Sequence, residues 1–259
     1  MTTFLFDKII FGPVKSRRLG ISLGINLLPV DSKLCNFNCI YCECGWTPGA
    51  LEMKISWHAR QLVAEKLEAT LQSMKEKKEP LDVITYAGNG EPTMHPEFEG
   101  IIDNTITIRN KYYPNARIAV LSNATLLHKV SVFRALNRVD DNILKLDSVF
   151  LQTIELFNKP LGKFRVEKII EQLKQFDGNV IIQTMFVKGS FGGEKVDNTT
   201  EKELTAWIKA LHQIKPKQVM IYTIARDTPS PDLEKVSLDD LNKIKDRLEG
   251  EGFRVQVSG

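Results

Sequence analysis

Residues 82–92 read DVITYAGNGEP. An apolar run of strand length passes directly into a loop with two glycines, an asparagine and a glutamate. Helical spacing follows at Phe98, Ile101, Ile102 and Ile106. A buried strand, a polar strand end and a covering helix make one βα unit. The order recurs on both sides. Strands are predicted at 20–29 (GISLGINLLP), 117–122 (RIAVLS), 142–147 (NILKLD), 179–187 (NVIIQTMFV) and 217–224 (KQVMIYTI), with a short one at 253–258 (FRVQVS). Between them run apolar stripes at Val63, Leu67, Leu71 and Met74, at Val166, Ile169, Ile170, Leu173 and Phe176, and at Leu204, Trp207, Ile208 and Leu211. Such stripes are core faces. Ser56 is expected to cap the first helix. Ser237 with Asp240 has the form of a capping box ahead of Leu238, Leu241, Ile244 and Leu248. Strands separated by helices argue for right-handed βαβ units, so the fold class is α/β. An open doubly wound sheet and an incomplete barrel both satisfy the pattern. No linker rich in Pro, Gly or Ser divides the chain, so one domain is expected. The longest stretch without a predicted element is 43–55.

The composition narrows the class. With 42% hydrophobic and 26% charged residues in 259, the chain is neither disordered nor collagen-like. No apolar run approaches the ~20 residues that span a bilayer. Asp7 and Lys8 interrupt the apolar N-terminal stretch, so no signal peptide is expected and the cytoplasm is the expected location. The net charge is +3, and residues 1–60 carry 7 basic and 4 acidic residues. The remainder is balanced. A mild local excess could face an anionic substrate, but it is not the basic stripe of a dedicated nucleic-acid binder.

The 4 cysteines all fall between positions 35 and 44. A disulfide scaffold would spread them to staple distant segments. In parallel α/β folds ligand sites gather at the carboxyl ends of strands. The loop DSKLCNFNCIYCECG follows the first strand there. Its spacing is Cys35-x3-Cys39-x2-Cys42. Thiolates are soft ligands for iron–sulfur clusters or zinc. Three can hold three irons of a 4Fe–4S cube and leave the fourth open. Four, with Cys44 included, could make a structural zinc site, although such sites usually pair ligands from two knuckles. The spacing favours the cluster. Too few cysteines remain for a second, fully cysteine-ligated cluster.

The cysteine loop, with Tyr41 before its third cysteine, resembles the signature of the radical S-adenosylmethionine (SAM) superfamily. Gly88-Asn89-Gly90-Glu91-Pro92 is similar to that family's Gly-Gly-Glu motif, which receives the SAM amino group. FGPVKSRRLGISLGINLLP (11–29) and YAGNGEPTMHPEF (86–98) resemble the branch containing wyosine-type tRNA-modifying proteins. The likeness runs from about residue 10 to 230.

The resemblance implies an incomplete (β/α)6 TIM-like barrel with parallel strands. It implies one radical SAM domain over 1–259, with a core of about 18–225 and a C-terminal helix and strand at 237–258. Cys35, Cys39 and Cys42 would hold one 4Fe–4S cluster. SAM is the second implied cofactor. Gly88, Asn89 and Gly90 would let backbone approach SAM, with the Glu91 carboxylate facing its ammonium. Ser122, Asn123, Asp147 and Ser148 would hydrogen-bond its ribose or carboxylate. Gln183 and Met185 could face the mouth, and Tyr222 to Ile224 could line an adenine pocket. The implied reaction is reductive cleavage of SAM to a 5′-deoxyadenosyl radical, which abstracts hydrogen from a substrate. The branch suggests a tRNA or nucleotide-linked target; a protein or a small molecule also fits. A one-electron donor such as flavodoxin or ferredoxin is implied. Cys44 reads as a neighbouring free thiol. Arg17, Arg18 and Arg226 are candidate anion forks. Of the four histidines, His95 alone sits in a mouth loop. A non-catalytic zinc or iron–sulfur scaffold is the reading from another class.

Overall fold

The computed structural model describes residues 4–49 and 55–259. Part of the stretch expected to lack regular structure, residues 50–54, lies outside the described residues. Two compact units are present. The first comprises Leu5–Cys35 and Thr47–Asn142, and the second comprises Phe4, Asn36–Trp46 and Ile143–Gly259.

The first unit contains β1 (Ile10–Ser16), β2 (Gly20–Ile25), α1 (Arg60–Glu76), β3 (Val83–Tyr86), α2 (Phe98–Tyr112), β4 (Arg117–Ser122) and α3 (Val130–Asn137). β2, β3 and β4 are parallel, with Ile25 opposite Tyr86 and Tyr86 opposite Val120. In-register neighbours share a face. Ile25, Tyr86 and Val120 are fully buried on it. The Tyr86 hydroxyl meets Thr105 Oγ1 of α2 at 2.5 Å, so this face packs on the helices. The predicted stripes are the buried faces of α1 and α2. Burial of each such side chain stabilises by roughly 1.5–3 kcal/mol.

One expectation fails in this unit, and one strand was not foreseen. Ser56 is not a cap: α1 begins at Arg60 behind Ala59, without a side-chain capping bond. β1 carries no strand signal because Gly12 and Pro13 interrupt it. The strand forms at the sheet edge, antiparallel to β2, with a register shift between Phe11 and Val14 that accommodates the pair.

The second unit continues β5 (Asp141–Lys145) from Ile143. Then come α4 (Leu151–Phe157), α5 (Val166–Lys174), β6 (Ile181–Met185), β7 (Val187–Phe191), β8 (Glu194–Asp197), α6 (Glu201–Ile214), β9 (Gln218–Tyr222), β10 (Leu233–Lys235), α7 (Leu238–Gly250) and β11 (Val255–Ser258). β5, β6, β9 and β11 are parallel neighbours in that order. Leu144, Ile182 and Val219 are buried on one face. Trp207 of α6 covers it and donates its indole N–H to Leu146 O at 3.1 Å. Register puts Lys145, Gln183 and Met185 on the opposite face, with Tyr222. Ser237 caps α7 as expected, accepting from Asp240 N at 3.1 Å. β10, β7 and β8 form a separate antiparallel sheet that no sequence pattern announced. No helix among the described residues is long and apolar enough to cross a membrane.

Candidate active site

In the first unit the candidate residues gather where β3 ends. Leu34, the residue before Cys35, forms a parallel bridge with Gly90. Leu34 N donates to Asn89 O at 2.7 Å, and Glu91 N donates to Leu34 O at 3.0 Å. Gly90 has φ +140°, and a Cβ there would lie 1.8 Å from Leu34 O. Only glycine lets the cysteine loop lie this close to the strand end. A Cβ at Gly88 would meet Asn26 Oδ1 at 2.6 Å. The close approaches that these glycines permit are thus to protein atoms.

Asn89 is fully buried. Its Nδ2 donates to Pro29 O at 2.7 Å and Phe6 O at 2.9 Å, and its Oδ1 accepts from Phe6 N at 2.9 Å. The side chain ties three segments together. Glu91 is buried too. Its Oε1 accepts from Thr93 Oγ1 at 2.5 Å, Ser122 Oγ at 2.8 Å and Thr93 N at 3.1 Å; its Oε2 accepts from Asn123 N at 2.7 Å. Burial pushes its carboxyl above the usual range, and these donors pull the other way. A carboxylate offers about four lone-pair sites, so the protein takes up most of what was expected to receive an ammonium. Asn123 bonds Thr125 through its Oδ1, and its Nδ2 points at Cys35 Sγ, 3.7 Å away.

The second unit holds Cys39 against the end of α4. Asn38 N donates to Asn158 O and Ile40 N to Phe157 O, each at 2.9 Å; Leu161 N donates to Asn36 O at 3.0 Å. These bonds strap residues 36–40 alongside 157–161. A turn then brings Cys42 N to Cys39 O at 3.1 Å. Cys39 is buried, and Cys42 and Cys44 are half-buried.

Beside Cys39 lies a buried polar cluster. The Tyr41 hydroxyl donates to Asp147 Oδ2. Asn158 Nδ2 lies 2.8 Å from that carboxylate, 2.8 Å from Tyr41 Oη and 3.5 Å from Cys39 Sγ. Met185 N donates to Asp147 Oδ1 at 2.9 Å. Lys145 Nζ sits 3.1 Å from Tyr41 Oη, 3.4 Å from Asp147 and 5.1 Å from the Tyr41 ring centroid. Burial pulls the Lys145 pKa down, but Asp147, Tyr222 and Cys39 together outweigh it and hold the ammonium charged. Burial and Asp147 together push the Tyr41 phenol up. Ser148 Oγ donates to Glu203 Oε2 at 2.7 Å and accepts from Phe150 N at 3.0 Å, tying the end of β5 to α6 and the start of α4. Gln183 Nε2 donates to Tyr222 Oη at 2.8 Å. Thr223 Oγ1 accepts from Val236 N at 2.9 Å.

The remaining candidates have local partners. Arg17 and Arg18 lie in the β1–β2 turn, at the amino end of β2. Arg226 pairs with Glu43 at 2.7 Å and lies 5.1 Å over the Phe4 ring. His95 is buried, with Nε2 2.9 Å from His58 O and Nδ1 accepting from Glu97 N at 3.1 Å. No group of three or more His, Cys, Asp or Glu among the described residues is arranged as a ready metal site. The donor set nevertheless suits an iron–sulfur cluster: three cysteines lie within eight residues of chain, and two of them face an amide N–H donor of the kind that stabilises thiolate sulfur.

Asn158, Lys145 and the Tyr41 hydroxyl were not singled out from the sequence. A signal existed for Lys145, a lone cation inside NILKLD with Asp147 on the same strand face. Asn158 offered none, because Asn before Lys-Pro reads as an ordinary turn.

A parallel α/β sheet with a thiol loop at its strand ends defines a class, and the match to known proteins gives the family. Residues 30–191 match the Radical SAM superfamily. The chain belongs to that superfamily. It is 32% identical over 247 residues to a UPF0026 protein of Helicobacter pylori strain J99, covering 93% of this chain and 74% of that protein. Among solved structures it resembles Streptococcus suis SuiB bound to S-adenosylmethionine, with TM-score 0.64 and 14% identity over 91% of this chain and 50% of that one. It also resembles TYW1 with a lysine-pyruvate adduct bound, with TM-score 0.62 and 16% identity over 90% of this chain and 74% of that one. The chain thus spans only half the length of SuiB. These likenesses show the fold, and the expected incomplete α/β barrel is the fold class.

Proposed function

We propose that the chain acts as one radical SAM domain over 1–259, with Cys35, Cys39 and Cys42 as ligands of a single 4Fe–4S cluster. A cluster at these thiolates supplies one-electron chemistry, the reductive cleavage of SAM to methionine and a 5′-deoxyadenosyl radical. The observation that carries the reading is the pair of amide donors aimed at Cys35 and Cys39. Buried amides facing sulfur suit thiolates better than a zinc clip whose ligands come from paired knuckles.

The other residues then take these roles. Glu91 organises the ends of β3 and β4 through Ser122, Thr93 and Asn123. It thereby orients the backbone of Gly88, Asn89 and Gly90 toward the SAM amino end. Asp147 anchors Lys145, Tyr41 and Asn158, and Ser148 braces β5 against α6; both support the cofactor pocket from behind. Gln183, Met185 and Tyr222 lie on the strand face available to cofactor or substrate. An external one-electron donor, flavodoxin or ferredoxin, reduces the cluster in the cytoplasm. The substrate is a hydrogen donor; a tRNA or nucleotide-linked target is one class, and protein or small-molecule targets are the others.

Metal analysis with alanine variants tests the ligand set. Anaerobic reconstitution is expected to load about four irons per chain. Cys35→Ala, Cys39→Ala and Cys42→Ala each lose the cluster, and Cys44→Ala keeps it. Zinc in place of iron favours the scaffold reading. Loss of iron in Cys44→Ala overturns the ligand assignment.

A further inference from the structure

We infer that Asn158 is a positioning residue for the redox centre: its side-chain amide donates to the Cys39 thiolate and raises the cluster's reduction potential. The inference rests on Cys39 being a cluster ligand.

Asn158 is held from both sides. It follows the last residue of α4, and its own N–H donates to Ile154 O at 2.8 Å. Its carbonyl accepts from Asn38 N at 2.9 Å, within the cysteine loop itself. The backbone therefore ties α4 to the segment carrying Cys39, and the residue is only 2% exposed. Its Nδ2 carries two hydrogens and has three acceptors: Tyr41 Oη, Asp147 Oδ2 and Cys39 Sγ. Asp147 Oδ2 also receives the Tyr41 hydroxyl and faces Lys145. That acceptor is well supplied. A buried thiolate is an anion, and a donor facing it makes a charge-assisted bond.

The redox consequence follows from charge. Reduction adds one electron from an external donor, with no bond made or broken and no proton required. The added negative charge falls partly on the cysteine sulfurs. A fixed N–H donor stabilises the reduced state more than the oxidised one, so the potential rises. Burial strengthens the effect, because little water competes at Cys39.

The test is a redox titration of the reconstituted protein, with dithionite as reductant and the reduced cluster's electron paramagnetic resonance signal as readout. Asn158→Leu keeps the branched shape and removes the donor. The expected result is retained iron and a midpoint more negative by about 59 mV, a tenfold loss in the reduction equilibrium of a one-electron couple. Tyr41→Phe removes a competing acceptor and leaves the amide facing Cys39, so its midpoint should not move in the negative direction. A merely structural role for Asn158 would move neither. Should Asn158→Leu fail to hold iron, Asn158→Ser carries the same expectation, since serine is too short to reach Sγ. An unchanged midpoint in the iron-loaded variant overturns the inference. An equal negative shift in Tyr41→Phe overturns it as well. Absence of iron in the wild-type protein would instead remove the ligand reading beneath it.

Discussion

Glu91 shows how a side chain picked out from the sequence is held in place by the protein's own donors. Its place in a glycine-rich strand end marked it from the sequence, and the fold surrounds it with four donor contacts. Glu91→Ala leaves those buried donors short of an acceptor, at about 1–3 kcal/mol for each one left unsatisfied. The melting temperature should drop and SAM affinity should fall at least about tenfold, 1.4 kcal/mol, while iron content holds. SAM affinity unchanged in a folded variant would remove this role. The titration has a definite sign. Burial raises the folded-state pKa above 4.5, so the contribution of the protonated form is present below that value. It is lost as pH rises through the folded pKa. Glutamine does not titrate. The melting difference between Glu91→Gln and wild type should therefore move in favour of glutamine as pH is raised from about 4 to about 7. A flat difference would mean that Glu91 titrates normally. The cysteines and glycines were readable because their chemistry is local in sequence. Lys145 and Tyr41 stand 104 positions apart, and only the folded chain makes them neighbours.

At the level of elements, legibility followed apolar periodicity. The cores of β3, β4, β6 and β9 are apolar runs and emerged close to their predicted places. β7, β8 and β10 are short and mostly half-buried or exposed, with Lys188, Glu194, Lys195 and Glu234 among their residues, so no stripe betrayed them. α4 has seven residues and two buried ones, too few for a pattern. Yet α4 is the element that places Asn158 beside Cys39. The bridge from Leu34 to Gly90 makes a sharper test. Gly90→Ala puts a methyl 1.8 Å from Leu34 O at a φ of +140°. The backbone strain alone is about 1–3 kcal/mol, and the clash displaces the residue before Cys35. Iron incorporation should fall sharply. Gly192→Ala is the control: its φ of +61° imposes backbone strain too, but a Cβ there meets nothing within 4 Å, so without the clash it should load iron normally. Equal loading of the two variants would show that the bridge does not position Cys35.

For the molecule as a whole, the class came from repetition and the family from the cysteine loop. The charge balance said little, since a net +3 in 259 residues selects no partner. Substrate identity was not legible because nothing in strand periodicity or thiol spacing encodes it. The central claim concerns what the thiol loop does, and one measurement reaches it directly. The protein is reconstituted anaerobically with iron and sulfide, reduced, given SAM, and assayed for 5′-deoxyadenosine by mass spectrometry. The account predicts product that accumulates with time in the wild-type protein and is absent in Cys39→Ala. Wild-type protein that holds its iron and binds SAM, yet yields no 5′-deoxyadenosine with dithionite or with reduced flavodoxin, would contradict it.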